Sequence, residues 1–329
     1  LMNKDCSNVE LWIQSTQFQK IDFWLEPTNN LDGEAVKMGM DEINELKSKG
    51  MITDWHFRNI VDKERTHSHF HIRYYQLNQK LYPNIVQIFR LGFGQVPVNF
   101  PPLTARLIYE KFLSEDKQDS YNVYDMCSGW GGRLLGSLAS KLNIHYIGTD
   151  VNSNNFGLYE ELAKFYNENC GGNNTFEMFR DGCEVISENK RFQKYKGKLD
   201  LCFTSPPYFS REVYSADKEQ SCNTFPNYND WLKGFLQPTI LTCRDYLKPN
   251  KYMIINIADV KVLDKEIIPL EQDTISLAVR NGFTFEGTIG MVMTRMIGLN
   301  PKNVRNNWFD YASRTYYKIE PILIFRKNG

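Results

Sequence analysis

From residue 122 onward, short apolar runs alternate with stretches in which apolar residues recur at helical spacing. Residues 122–126 read as a strand, 134–142 as a helix, and 145–149 as a second strand ending in Asp150. Residues 156–166 read as another helix, with strands at 175–179 and 199–203. Over 228–247, Trp231, Leu232, Phe235, Leu236, Ile240, Cys243 and Leu247 fall on one stripe, which predicts a long amphipathic helix. Pro238 is expected to kink it. Leu247-Lys248-Pro249-Asn250 reads as a stop before a fifth strand at 251–257. Residues 273–280 form a helix closed by Asn281-Gly282, and 283–292 and 319–325 a terminal strand pair. Such alternation predicts an α/β fold, doubly wound around a mostly parallel sheet covered on both faces. Residues 1–96 lack the alternation, so they are expected to form an accessory region ahead of a main domain at 97–329.

Composition narrows the class. The 329 residues are 42% hydrophobic and 24% charged, ordinary for a globular protein. Net charge is zero, so a polyanionic partner would have to meet a local basic face. The seven cysteines include no C-x-x-C pair, which argues against a zinc site and a disulfide framework. No secretory leader is read and no apolar run approaches 18 residues. The expectation is a cytoplasmic protein with reduced thiols and no membrane insertion.

Two loops carry the chemistry. Thr204-Ser205-Pro206-Pro207-Tyr208-Phe209 follows the apolar run 199–203. Paired prolines end the ladder and hold Ser205 extended. The loop therefore offers a hydroxyl, a carbonyl and an aromatic ring at a strand's carboxyl end. The second loop is Tyr124-Asp125-Met126-Cys127-Ser128-Gly129-Trp130-Gly131-Gly132-Arg133. Its glycines let a ligand approach the backbone, and the helix that follows offers unpaired N–H groups to a carboxylate. Asp150 stands 21 residues after Gly129, the spacing at which an acid grips ribose hydroxyls in a nucleotide-binding unit. The dinucleotide fingerprint is broken at Leu134, which weighs against a nicotinamide cofactor.

The first loop resembles motif IV, and the second motif I, of the amino-methylating DNA methyltransferases. Cys127 stands where Phe is common in motif I. Arg180-Asp181-Gly182 occupies the place of an acid that accepts from the cofactor's adenine amino group. Asn99-Phe100-Pro101-Pro102 resembles the start of motif X, and 319–326 the family's last strand. The resemblance covers about residues 97–327. It implies a Rossmann-like, seven-stranded methyltransferase sheet and S-adenosyl-L-methionine as cofactor. Asp125, Cys127, Gly129, Gly131, Asp150, Asp181, Pro102 and Thr204 would lie about that cofactor.

The same resemblance implies methylation of an exocyclic amino group on a base flipped out of double-stranded DNA. Ser205 and Pro206 would accept from that amino group, Tyr208 would stack on the base, and Phe209 would add a wall. No cysteine follows a proline, which argues against ring-carbon methylation. Ser before Pro-Pro favours cytosine N4 over adenine N6. An RNA base methyltransferase and an idle cofactor- or DNA-binding module remain as alternatives. Residues 294–318 read as a loop in which basic Arg295, Lys302, Arg305 and Arg314 interleave with aromatic residues including Trp308, suited to phosphates and bases. Residues 210–227 form a second candidate loop, and the amino-terminal region, with Arg58, Arg65 and Arg73, a third. His67, His69 and His71 share one face if extended, and are read as a polar face rather than a metal site. The assembly expected is a monomer or homodimer.

Overall fold

A computed structural model describes residues 99–209, 220–261, 267–293, 306–312 and 314–329. The amino-terminal region, the three alternating histidines, residues 210–219 of the candidate loop, and Arg295, Lys302 and Arg305 lie outside the described residues.

Helix α1 (Pro102–Leu113) precedes strand β1 (Tyr121–Asp125). Then come α2 (Gly132–Leu138), β2 (Ile144–Thr149), α3 (Phe156–Cys170), β3 (Thr175–Phe179) and β4 (Leu199–Thr204). Short α4 (Ser221–Thr224) and α5 (Tyr228–Trp231) lead through a π-helical turn (Leu232–Leu236) into α6 (Gln237–Tyr246). Strand β5 (Leu247–Asn256), a two-stranded ribbon of β6 (Val260–Lys261) and β7 (Ile267–Ile268), and helix α7 (Leu270–Arg280) follow. The chain ends with β8 (Phe283–Val292), β9 (Asn307–Asp310) and β10 (Thr315–Lys327).

The main sheet runs β3-β2-β1-β4-β5-β10-β8, with β9 added on β10. Strands β1 to β5 pair in parallel, and β10 is antiparallel to both β5 and β8. This is the expected mostly parallel, Rossmann-like sheet of seven strands, with β9 as an eighth. Alternate side chains serve two cores, as pleating requires. Val123, Leu201, Phe203, Ile254 and Ile322 face the cluster that holds α1 residues Ala105, Tyr109 and Phe112. Tyr124, Cys202, Met253, Ile255 and Leu323 face the cluster of Trp231, Ile240 and Leu270.

Three details differ from the sequence reading. The segment read as a stop, Leu247–Asn250, belongs to β5, where the register with β4 shifts and Asn250 takes a positive φ of 61°. The long helix carries a π-helical turn over Leu232–Leu236, directly ahead of Pro238, whose missing N–H removes a ladder bond there. Finally, part of the region read as a loop over 294–318 is a hairpin. Trp308 pairs with Tyr317 and Phe309 with Tyr316 across β9 and β10, and each pair is also in ring contact. Cys127, Cys183, Cys202, Cys222 and Cys243 are free thiols.

Candidate active site

The strand order reverses between β1 and β4: successive strands run outward to β3 on one side and to β5 on the other. Loops leaving the carboxyl ends of those two strands diverge and open a crevice, the usual ligand site in sheets of this kind. The glycine-rich loop leaves β1 and the Ser-Pro-Pro-Tyr loop leaves β4.

The two loops are bonded at their roots. Thr204 donates its hydroxyl to Asp125 Oδ1 at 2.8 Å and accepts from the Cys127 N–H at 3.1 Å. Asp125 Oδ1 also receives the Cys127 N–H at 3.2 Å. Oδ2 receives Arg133 Nε at 2.8 Å and the Tyr146 hydroxyl. Arg133, on the first turn of α2, reaches back to the Cys127 carbonyl and lies over the Phe100 ring. Asp125, Thr204 and Arg133 are all buried. The Asp125 carboxylate holds the Arg133 guanidinium above its usual range, against the opposing effect of burial. Asp125 and Thr204, expected at the cofactor, thus sit beneath the loop and shape it from below.

Upper residues of the loop are held by a second set of bonds. Gly129 donates its N–H to Asp150 Oδ2 at 2.7 Å, and Asp150 Oδ1 receives the Asn152 N–H at 2.8 Å. Burial pushes the Asp150 carboxyl up to about 6, partly offset by those two amides. Gly129 and Gly131 adopt positive φ of 56° and 79°. A Cβ on Gly129 would point into open space, with nothing closer than the Cys127 carbonyl at 4.0 Å. At Gly131 it would press on Leu162 at 3.1 Å, so that glycine serves helix packing. Asn155 and Tyr159 hold the Gly129 carbonyl from α3's side. Asp181, half-buried after β3, accepts from Asn189 Nδ2 at 2.7 Å. Two residues on, Cys183 Sγ lies 3.8 Å from Cys127 Sγ, which brings the third loop against the first. Buried Pro102 opens α1, and Asn99 Oδ1 caps the Gly132 N–H at 3.0 Å. One of the donors expected to be free at that helix end is therefore already taken, while Asn99 Nδ2 is buried without a partner.

On the other wall Ser205 is half-buried and donates to Asn256 Oδ1 at 3.2 Å. Tyr208 is half-buried, and its hydroxyl makes a long contact of 3.5 Å with the same oxygen. Pro206 is buried. Phe209 corrects an expectation: its φ of 52° turns the ring inward against Tyr228 and Trp231, leaving it 6% exposed. It braces the loop from the core and is no wall for a ligand. Trp308 and Arg314 are both exposed on the hairpin. Asn256 and Tyr146 escaped the sequence reading, since each acts through a partner distant in the chain, while Arg133 and Asn99 stood in the quoted motifs without a role.

Residues 199–329 match a family model for N6/N4 methyltransferases, described as DNA methylase. Over that stretch the chain is similar to the N6/N4 DNA methylase family. Similar solved structures include a putative DNA modification methylase from Thermus thermophilus, 19% identical over 45% of this chain and 51% of that one, with a TM-score of 0.31. TrmN from Thermus thermophilus is 12% identical over 70% and 50%, with a TM-score of 0.41. A SAM-dependent methyltransferase from Agrobacterium tumefaciens is 13% identical over 72% and 64%, with a TM-score of 0.44. The chain spans about half the length of the first two. No curated protein matches it.

The family's methyl donor is S-adenosyl-L-methionine. The residues present fit that group: an open backbone approach at Gly129, the half-buried acid Asp150 after β2, a second acid at Asp181, and an unpartnered buried amide on Asn99. Among the described residues, no group of His, Cys, Asp and Glu could hold a metal, and no helix is long and apolar enough to cross a membrane.

Proposed function

We propose that this methyltransferase acts on the exocyclic amino group of a base flipped out of double-stranded DNA, with cytosine N4 favoured over adenine N6. The observation that carries this reading is the bonding of the two loop roots through Thr204, Asp125 and Cys127. It joins the glycine-rich loop to the Ser-Pro-Pro-Tyr loop at the sheet's switch point. When bound, S-adenosyl-L-methionine supplies an activated methyl group.

The protein's task is then alignment and management of charge. An amine conjugated to a ring is a weak nucleophile, because its lone pair is delocalised. Ser205 Oγ and the Pro206 carbonyl accept from its two N–H groups. These bonds draw the nitrogen toward tetrahedral geometry and stabilise the positive charge that develops on it. Tyr208 stacks on the base. Asp150 accepts from ribose hydroxyls, Asp181 from the adenine amino group, and Asn99 Nδ2 donates to the carboxylate. The β9–β10 hairpin, with Trp308 and Arg314, contacts the duplex beside the flipped base, and Arg295, Lys302 and Arg305 precede it in the chain.

Labelled methyl transfer onto duplex DNA, followed by nucleoside mass analysis, tests this. The expected product is N4-methylcytosine. N6-methyladenine would keep the reaction and change the base. Label found only on RNA, or on no nucleic acid, would overturn the reading.

A further inference from the structure

Asn256 ends β5, the strand beside β4, and is buried beneath the Ser-Pro-Pro-Tyr loop. Its Nδ2 donates to the Pro321 carbonyl at 3.0 Å. A carbonyl can only accept, so this bond fixes which end of the amide faces which way. Oδ1 must then face the loop, where it meets the Ser205 hydroxyl at 3.2 Å and the Tyr208 hydroxyl at 3.5 Å. Pro321 sits in β10 opposite Gly290 of β8, so the β10 backbone orients the amide.

A serine hydroxyl has one proton and two lone pairs. Left free, it could turn its proton toward an incoming amine and donate to the lone pair that must take the methyl group. From these contacts we infer that Asn256 is a positioning residue: by taking the Ser205 proton it leaves both lone pairs of Oγ to accept from the target amino group. This rests on the function proposed above. Asn256 touches neither substrate nor cofactor in this account. Its long contact to Tyr208 adds a second, weaker hold on the ring that stacks on the base. A carboxylate at position 205 would need no such partner, having no proton to direct.

The test is a double-mutant cycle on single-turnover methyl transfer to duplex DNA, using wild type, Asn256→Ala, Ser205→Ala and the double variant. Losing one hydrogen bond that orients the acceptor should slow Asn256→Ala about tenfold, and less than about twofold in the Ser205→Ala background. The KM for cofactor should stay within about twofold, since no uniform binding contact is lost. Asn256→Asp gives a readout that a structural role would not move. When protonated, the carboxyl of that variant has the shape and polarity of the amide, donating to Pro321 and accepting from Ser205. Burial raises the pKa of such a carboxyl. The rate of Asn256→Asp should therefore recover toward wild type as pH falls, while the wild-type rate does not rise. Equal losses for Asn256→Ala in both backgrounds, or a pH profile for Asn256→Asp parallel to the wild type's, would overturn the inference. Should Asn256→Ala fail to fold, judged by its melting curve and cofactor binding, the Asn256→Asp variant alone decides. Wild type without methyl transfer to DNA would instead remove the functional reading, and this inference with it.

Discussion

Thr204→Val isolates the bond that joins the two loops. Valine has nearly the shape of threonine, so the change removes a hydroxyl without opening a cavity in a site that is 1% exposed. Two bonds disappear: the donation to Asp125 Oδ1 at 2.8 Å and the acceptance from Cys127 N at 3.1 Å. Neither partner is orphaned. Cys127 N still reaches Asp125 Oδ1 at 3.2 Å, and Oδ2 keeps Arg133 and Tyr146. The main loss is one hydrogen bond to a carboxylate, about 1.5–3 kcal/mol. The added methyl group returns up to about 0.8 kcal/mol. A net destabilisation of about 1–2 kcal/mol follows, or about 2–8 °C in Tm for a domain of this size. Urea unfolding should show a lower midpoint at unchanged slope. Methyl transfer should fall more than cofactor affinity, because Ser205 is the next residue and loses its anchor. A midpoint within about 0.5 kcal/mol of wild type, together with an unchanged transfer rate, would refute the claim that this bond sets the loops' spacing.

Further outcomes are expected elsewhere in the site. Asp150 carries a folded pKa of about 6 against an ordinary 3.8. If its ionised form accepts ribose hydroxyls, as proposed, cofactor affinity measured by calorimetry should be level above about pH 7 and fall about tenfold per unit below 6; Asp150→Asn should bind more weakly with no such slope. Because the folded value is the higher one, the stability this group contributes is present below 3.8 and is lost as pH rises through about 6, the reverse of a paired acid. Gly132→Ala should cost more than about 2 kcal/mol by urea unfolding, since its Cβ would lie 2.2 Å from the Phe100 carbonyl. Gly157→Ala in α3 meets nothing within 4 Å and should stabilise by about 0.5–1 kcal/mol. Tyr208→Ala should cut turnover while leaving cofactor affinity nearly unchanged; equal loss of both would mean that the ring is structural.

Strands were legible where both faces are buried, because a parallel strand in such a sheet reads as an unbroken apolar run. β1, β2 and β4 were read to within a residue or two; the edge strand β3, buried only at Phe179, was read at its observed ends although it lacks that burial. Asp200 breaks the run at β4 without breaking the strand, because Lys248 at 2.6 Å and the Asn122 N–H at 2.9 Å answer its charge. Both partners are distant in sequence, which no local pattern can show. The hairpin was hidden for a related reason. Its cross-strand pairs, Trp308 with Tyr317 and Phe309 with Tyr316, read along the chain as aromatics scattered among basic residues. Phe209 misled because type and position suggested a ligand wall. Its backbone, at a φ few non-glycine residues adopt, sends the ring into the core instead.

The candidate site divides along the same line. Residues that would touch ligands lie in short contiguous motifs, since a single short loop must present them together. The residues that hold those motifs come from the neighbouring strands and helices: Arg133 from α2, Tyr146 from β2, Asn256 from β5 and, through its carbonyl, Pro321 from β10. Arg133's bond is local, but the other supporting bonds each cross an adjacent strand pair, so strand order decides whether they can form. Moving β5 away from β4 would leave the Ser-Pro-Pro-Tyr motif intact in sequence and Ser205 without its acceptor. The motif therefore specifies which groups the loop presents, whereas the order β1-β4-β5-β10 decides whether Ser205 meets Asn256 as its acceptor.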